Sequence, residues 1–336
     1  MLRVAINGFG RIGRTVLKAG WERPGVEFVA INDLTEPSTL AHLLKYDSVF
    51  RTWDHKVSAG KDHLVIDGKK IPVVSQRDPK LLPWKTYQVD VIVESTGRFR
   101  NKEAALDHIE AGAKQVVISA PAKGTPTLLF GVNHKTWKRE DTVVNNASCT
   151  TNSAGPVAEI IHKAFGIKKA MLTTIHSVTA GQNLVDGLPQ EDKSDLRRAR
   201  SGMISMIPTS TGAAVATTEA ITSLRGKFDG ISVRVPTLDV SLTDFTFLLK
   251  QQTTVEKVNA LFKKAAKQKE WKGILAVTQE PLVSTDFIGS SYSATVDLSM
   301  TRLVDGDLLK VLAWYDNEWG YSVRLMDLVQ YVGKHK

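Results

Sequence analysis

The sequence predicts a two-domain α/β protein. Its first half reads as a doubly wound, mostly parallel sheet, and its second as an α+β domain with a largely antiparallel sheet. Two observations carry this. The first half alternates short, almost wholly apolar strand runs with helical patterns, as strands buried on both faces do. After residue 148 the runs lengthen and alternate apolar with polar residues, as in a sheet with one open face. A length of 336 residues suits two domains better than one, and 42% hydrophobic with 24% charged residues is the balance of a globular protein with a full core.

In the first half "LRVAI" (2–6), "VEFVAI" (26–31), "VDVIVES" (89–95) and "KQVVIS" (114–119) read as strands. "GRTVLKAGWE" and "NKEAALDHIEAG" carry apolar residues at helical spacing between them. Beyond the boundary at Ser148–Cys149, Gly155 and Pro156 open a helix whose apolar face is Val157, Ile160, Ile161, Ala164 and Phe165. The strands "AMLTTIHSVT", "GISVRVPT", "DVSLTDFTFLL", "SATVDLS" and "DLLKVLAWYD" follow. They are interrupted by "TTVEKVNALFKKAAK", with a capping box at Thr253-x-x-Glu256. "GYSVRLMDLVQYVGK" closes the chain as a helix. No internal repeat or low-complexity tract is visible.

The net charge of +9 raises the question of a nucleic-acid partner. Its Lys and Arg are spread along the chain without an aromatic-interleaved basic block, and acidic small substrates account for the surplus at least as well. One cysteine excludes an intramolecular disulfide and a multi-Cys zinc site. It fits a reducing compartment. No apolar run reaches membrane-spanning length, no leader is visible, and "GKHK" is no standard retention tail, so the cytoplasm is expected.

"INGFGRIGR" sets Gly8-x-Gly10-x-x-Gly13 directly after the first strand and at the start of a helix. Gly8 allows a tight turn, Gly10 lets the backbone approach a pyrophosphate, and Gly13 lets helix pack on strand. Alone, this is also the pattern of a glycine-rich strand–helix turn without a ligand. Asp33 ends the second strand about 20 residues on, where a carboxylate would hold a ribose 2′-hydroxyl, which favours NAD over NADP.

Cys149 stands in "NNASCTTNSAG", among small polar residues rather than Leu, Ile and Val. A thiol at a helix N-terminus gains from the dipole and free N–H groups, which lower its pKa. Of the eight histidines, His176 ends a strand-like run, where site residues of open sheets gather, and is the candidate base.

These motifs lead to a resemblance. "INGFGRIGR", "INDL", "STGRF", "SAPAK", "NASCTTN", "TTIHSVTA", "DLRRAR", "IPTSTGAA", "RVPT" and "WYDNEWGYS" occur in this order. Together they make nearly the whole chain similar to the phosphorylating glyceraldehyde-3-phosphate dehydrogenases. The resemblance implies a homotetramer with a Rossmann-type NAD-binding domain (1–148, joined by a C-terminal helix, 317–336) and a catalytic domain (149–316). It implies Cys149 as nucleophile and His176 as base, forming a hemithioacetal and then a thioester that inorganic phosphate cleaves. For the cofactor it implies Gly8, Gly10, Arg11, Ile12, Gly13, Asp33, Arg77, Thr96, Ser119, Asn317 and Tyr321. Thr179 and Arg234 match the family's site for the phosphate of glyceraldehyde 3-phosphate. Ser148, Thr150, Arg198, Thr211 and Gly212 match its site for the attacking phosphate. Other readings stand beside these. Arg198 also suits a subunit-contact ion pair, and Ser148, Thr150 and Thr211 suit helix caps or turns. Erythrose-4-phosphate dehydrogenase, a semialdehyde dehydrogenase and a non-catalytic nucleotide- or RNA-binding relative share parts of this pattern. The chain departs from the family at Ser153, where a second Cys is common, and at Gly181, where Asp is common. The stretch 182–196 looks longer than usual, which touches the neighbouring contacts of Leu188 and Pro189.

Overall fold

A computed structural model describes residues 1–189 and 194–334. The chain divides into two compact units. One holds residues 1–128, 134–147 and everything from Ser322 on; the other holds 129–133 and 148–321.

In the first unit β1 (Leu2–Asn7), α1 (Arg11–Trp21) and β2 (Val26–Asn32) form a βαβ start, with β1 and β2 parallel. After α2 (Pro37–Lys45) come two short strands, β3 (Tyr46–Asp47) and β4 (Arg51–Thr52), then β5 (Val57–Ala59), β6 (His63–Ile66) and β7 (Lys69–Val74). β8 (Val91–Glu94), α3 (Lys102–Glu110), β9 (Gln115–Ile118) and β10 (Val143–Asn145) complete it. The eight-stranded sheet runs β10-β9-β8-β1-β2-β7-β6-β5, parallel from β10 to β7 and antiparallel beyond. Every residue of β8 and β9 is buried, which is why those strands read as nearly continuous apolar runs. The order reverses between β1 and β8, and their carboxyl ends open the crevice in which such sheets bind ligands.

The second unit begins with α4 (Cys149–Phe165) and β11 (Ile167–Ser177), then β12 (Ile207–Ser210), α5 (Ala213–Ala220), β13 (Phe228–Val235) and β14 (Ser241–Leu249). α6 (Val255–Ala265), β15 (Leu275–Thr278), β16 (Ala294–Val304), β17 (Leu308–Tyr315) and α7 (Trp319–Lys334) follow. Its sheet runs β12-β13-β11-β14-β17-β16-β15, antiparallel except at β13–β11 and β16–β15. Along β14 the odd positions from Ser241 to Leu249 are buried and the even ones half-buried. Phe245, Phe247 and Leu249 meet Val157 and Ile161 of α4 and Phe262 of α6 in one core.

Three boundaries differ from the sequence reading. α4 starts at Cys149, six residues before Gly155, because Ser148 Oγ accepts the Thr151 N–H at 3.1 Å and caps it there. Pro156 therefore lies inside the helix, not in its first turn. Thr254, not Thr253, caps α6, its side chain accepting the Lys257 N–H. α7 starts at Trp319 rather than 317, because Asp316 Oδ1 accepts the N–H groups of Glu318 (2.9 Å) and Trp319 (2.6 Å). From Ser322 on, the helix belongs to the first unit. Arg23 holds it there, with Nη1 2.6 Å from Asp327 Oδ1 and Nη2 3.0 Å from the Val323 carbonyl. Among the described residues no helix is long and apolar enough to cross a membrane.

Candidate active site

The glycine turn of the first unit has the geometry a dinucleotide needs. Gly8 has φ +91°, and a Cβ there would lie 2.7 Å from the Thr96 backbone nitrogen. A Cβ on Gly13 would strike the Gly8 carbonyl oxygen at 2.2 Å. Gly10 has no heavy atom within 4 Å of its Cβ position, so the backbone there stays open to approach. It is also the N-cap of α1 and supplies no side-chain cap, which leaves the first-turn N–H groups for a pyrophosphate. Asp33 receives the Phe9 N–H on Oδ2 (2.7 Å) and the Thr35 N–H on Oδ1 (2.9 Å), which fixes the carboxylate beside the turn.

Other candidates of this unit are less uniform. Thr96 and Ser119 follow β8 and β9 at the carboxyl end of the sheet, and Ile12 is half-buried in α1. Arg77 is exposed. Arg11 is bound to Asp47 (Nη1 to Oδ2, 2.8 Å) and lies over the Phe50 ring, so its side chain braces α1 against the β3–β4 turn.

A buried network that the motifs did not reveal holds the turn from below. Glu94 Oε2 accepts from Asn7 Nδ2 (2.5 Å) and His108 Nε2 (3.1 Å), while Oε1 accepts the Thr96 hydroxyl (2.5 Å) and N–H (2.9 Å). The Trp84 indole N–H donates to His108 Nδ1 at 2.9 Å, which places the ring proton on Nε2, facing Glu94. A carboxylate at the end of an otherwise apolar strand, "VIVE", is its only trace in the sequence.

In the second unit the end of β11, the start of β14, the end of β17 and the N-terminus of α4 supply one cluster. Ser241 pairs with Tyr315, and His176 with Arg234, in register. Cys149 Sγ lies 3.4 Å from His176 Nε2. His176 Nδ1 is 2.7 Å from the Ser177 carbonyl oxygen and 2.7 Å from Arg234 Nη1. The Tyr315 hydroxyl bonds Thr150 and Thr174, each at 2.8 Å, and its ring stands edge-on to the imidazole. The Ser177 hydroxyl donates to the Val240 carbonyl (2.8 Å), and the Ser177 N–H donates to Ser241 Oγ (3.1 Å). Ser241 in turn donates to Asn317 Oδ1 at 2.7 Å, so Asn317 has a fixed amide direction. Val240 sits at φ +65°, a strained setting for a β-branched residue that this network holds in place.

The electrostatics correct one expectation. Desolvation pushes the Cys149 thiol up, and the Arg234 charge and the Thr150 N–H pull only partly against it. The resting group is thus a thiol rather than a helix-stabilised thiolate. Burial first, then the neighbouring Arg234 cation, pulls His176 down to about 3, so the imidazole is neutral at pH 7.

The anion-site candidates fall into two groups. Arg234 is half-buried beside His176, and Thr179 is exposed just beyond β11. Arg198 donates through Nε to Thr209 Oγ1 (2.9 Å), which donates to Asp195 (2.8 Å); this partnership lies within the chain. Thr211 Oγ1 accepts the Ala213 N–H (3.2 Å) and Gly212 is the N-cap of α5. Ser148 thus caps α4, and Thr211 closes a turn just ahead of α5. Tyr321 is buried. Ser153, in the place of a second Cys, is buried, its Oγ 3.4 Å from Thr243 Oγ1. Of the longer stretch 182–196, residues 190–193 lie outside the described residues. Leu188 is 88% exposed and Pro189 is buried. Among the described residues no cluster of three His, Cys, Asp or Glu is placed to hold a metal ion.

An open glycine turn on a parallel sheet and a thiol beside a neutral imidazole are the working parts of a nicotinamide-dependent oxidoreductase that uses a cysteine. Comparison with known proteins narrows the class. Residues 2–102 match the model of the glyceraldehyde 3-phosphate dehydrogenase NAD binding domain, and residues 148–317 match that of the glyceraldehyde 3-phosphate dehydrogenase C-terminal domain. The chain is 50% identical over 333 residues to glyceraldehyde-3-phosphate dehydrogenase of Geobacillus stearothermophilus, covering 98% of each chain. It is 50% identical over 333 residues to that of Thermotoga maritima, again covering 98% of each. Over 337 residues it is 49% identical to that of Zymomonas mobilis, covering 99% of each. The chain belongs to the glyceraldehyde-3-phosphate dehydrogenase family.

Proposed function

We propose that this chain is an NAD-dependent, phosphorylating glyceraldehyde-3-phosphate dehydrogenase that oxidises its aldehyde through a thioester on Cys149. The observation that carries the reading is the 3.4 Å approach of Sγ to Nε2 at the N-terminus of α4.

The chemistry follows from the protonation states. The neutral His176 ring accepts the thiol proton as sulfur attacks C1, and passes it to the aldehyde oxygen to give a hemithioacetal. The same nitrogen then takes the hydroxyl proton as the hydride leaves C1, and a thioester results. NAD, when bound, supplies the hydride acceptor. Gly8, Gly10, Ile12, Gly13, Asp33, Thr96 and Ser119 would hold it, and Asn317, oriented by Ser241, would meet its carboxamide. Arg11, tied to Asp47, would act on the shape of the turn. An oxygen of inorganic phosphate attacks the thioester carbonyl, and the Cys149 sulfur leaves and recovers its proton, giving 1,3-bisphosphoglycerate. The Cys149 N–H and the His176 ring would steady the oxyanion. Thr179 and Arg234 suit the substrate's phosphate. Ser148, Thr150, Arg198, Thr211 and Gly212 suit the attacking one.

A homotetramer is proposed with this function. The exposed side chains of Leu184 (69%), Val185 (77%), Leu188, Ile204 (87%) and Met206 (76%) gather in one segment and favour burial against another subunit. A solitary thiol that must stay reduced to act favours the cytoplasm.

The test is NADH formation from NAD and glyceraldehyde 3-phosphate. It should rise on adding phosphate or arsenate, and indifference to both would count against thioester phosphorolysis. Cys149→Ser should lower turnover by roughly 10⁴-fold or more while NAD still binds. Faster turnover of erythrose 4-phosphate would reassign the substrate.

A further inference from the structure

The Glu94 network does not end beneath the glycine turn. Asn7 and Asn32 are the last residues of β1 and β2, and both are buried. Asn32 Nδ2 donates to Asn7 Oδ1 at 2.7 Å. Asn32 also clasps the backbone of Gln76. Its Nδ2 donates to the Gln76 carbonyl and its Oδ1 accepts the Gln76 N–H, each at 2.9 Å. Gln76 Oε1 accepts the Asp78 N–H at 2.9 Å, which steadies the chain on either side of Arg77. A continuous line of hydrogen bonds thus crosses the carboxyl ends of β8, β1 and β2 to the segment after β7. Thr96 lies at one end. Asp33 and Arg77, the neighbours of Asn32 and Gln76, lie at the other.

The line has one polarity. Each Glu94 oxygen receives two donors, so the carboxylate only accepts. Asn7 must therefore turn its NH2 toward Glu94 and its oxygen toward Asn32. Asn32 must answer with its own NH2, which leaves its oxygen for the Gln76 N–H. With the Asn7 amide reversed, oxygen would meet carboxylate and NH2 would meet NH2. A compensating flip of Asn32 would set its NH2 against the Gln76 N–H and its oxygen against the Gln76 carbonyl. Each such mismatch leaves buried polar groups without a partner, which holds the amides in their one orientation.

We infer that Glu94 is a positioning residue for the adenosine end of the cofactor site, acting through Asn7 and Asn32, whose amides it orients across the sheet. This rests on the reading of Asp33 and Arg77 as ligands of NAD. A carboxylate on one side of the glycine turn thereby fixes the backbone that presents both residues on the other.

The test exchanges the two partners of one hydrogen bond and reads AMP, the adenosine fragment, by displacement of NAD. Asn7→Asp alone sets two carboxylates against each other and should raise the Kd of AMP by roughly tenfold or more. Adding Glu94→Gln moves the charge one residue along the line. The new amide donates to the new carboxylate, and its oxygen keeps Thr96. The His108 Nε2, 3.4 Å from Asn7 Nδ2, gains an acceptor there, and Asn32 still meets an oxygen. The pair Asn7→Asp with Glu94→Gln should therefore return AMP to within about threefold of the wild type. KM for NAD should follow the AMP values while kcat stays within about twofold, a split that general loosening of the fold would not give. Independently of the exchange, Asn7→Ala and Asn32→Ala should each raise the Kd of AMP roughly tenfold, and together no more than either alone, because both cut one line. A double exchange no better than Asn7→Asp, or additive losses in the two alanine variants, would overturn the relay. An unchanged Kd of AMP in Asp33→Ala would overturn the adenosine assignment, a separate failure.

Discussion

At the scale of residues, the cluster around Asn317 contains an acid pair whose proton can be followed. Asp239 and Asp316 are both buried, 5% and 1% exposed, and lie close to Glu318. Burial pushes both carboxyls up. Asp316 receives the N–H groups of Gly289, Glu318 and Trp319, which favour its anion, so the proton settles on Asp239, whose pKa is pushed up to about 9. The sign follows from linkage. Between the unfolded pKa of about 3.9 and about 9 the folded chain holds a proton that the unfolded chain has lost, so this pair costs stability progressively as pH rises through that window. Asp239→Asn keeps the neutral, hydrogen-bonding shape. It should raise Tm at pH 8 by at least roughly 2–4 °C, the equivalent of about 1 kcal/mol in a unit of the size of the second one, and change it little at pH 4. Equal shifts at both pH values would mean that the proton is not held there. The sequence marked Cys149 by its solitude and polar neighbours, and His176 by its place at a strand end. Arg234 could be assigned only by resemblance. The thiol's direction of shift was misread because dipole and N–H effects show in a motif, whereas the desolvation that outweighs them depends on packing from distant strands.

Among elements, the apolar runs were legible and the polar supports were not. Strands buried on both faces announce themselves, and so does the alternation of β14. The hairpin strands between residues 57 and 74, the short β10 and β12, and the helices α2 and α5 carry weaker patterns and went unread. Ser148, Thr254 and Asp316 shift three helix starts because a cap is decided by which side chain reaches a free N–H, within a choice of neighbouring candidates. The Glu94 network joins β1, β8 and α3 and so has no local signature. It also explains the glycine at position 8: Thr96, clamped by Glu94, leaves no space for a Cβ there. His108→Ala removes a fully buried donor from Glu94 and an acceptor from Trp84. It should cost about 3–5 kcal/mol in urea unfolding, since a buried acceptor and a buried donor each lose a partner at about 1–3 kcal/mol apiece, and Glu94→Gln in the same background should restore part of the loss. Additive losses would show that the two side chains act apart.

For the whole molecule, the largely parallel and largely antiparallel sheets were readable from texture alone. The membership of α7 was not, since no periodicity says which core a terminal helix joins. Its contacts now say so: a Cβ on Gly20 would touch Met326, and one on Gly333 would meet Leu2, so the helix packs tightly against α1 and β1. A chain stopped after Tyr321 should lose NAD affinity, read by titration calorimetry. It should also lose the first unit's calorimetric transition, although every residue of the glycine turn remains. Undiminished NAD binding by that chain would show the helix to be dispensable to the first unit.

That arrangement has a consequence for synthesis. The first unit is begun by residues made before the second unit and completed by residues made after it. Its sheet must wait, with α1 and β1 uncovered, while the 174 residues from 148 to 321 are made. The second unit, almost contiguous in sequence, has all its strands before α7 is made. The second unit's sheet can therefore form before α7 is complete, whereas the first unit closes only once that helix has emerged. A chaperone that shields nascent chains would find its client surface at the amino-terminal end.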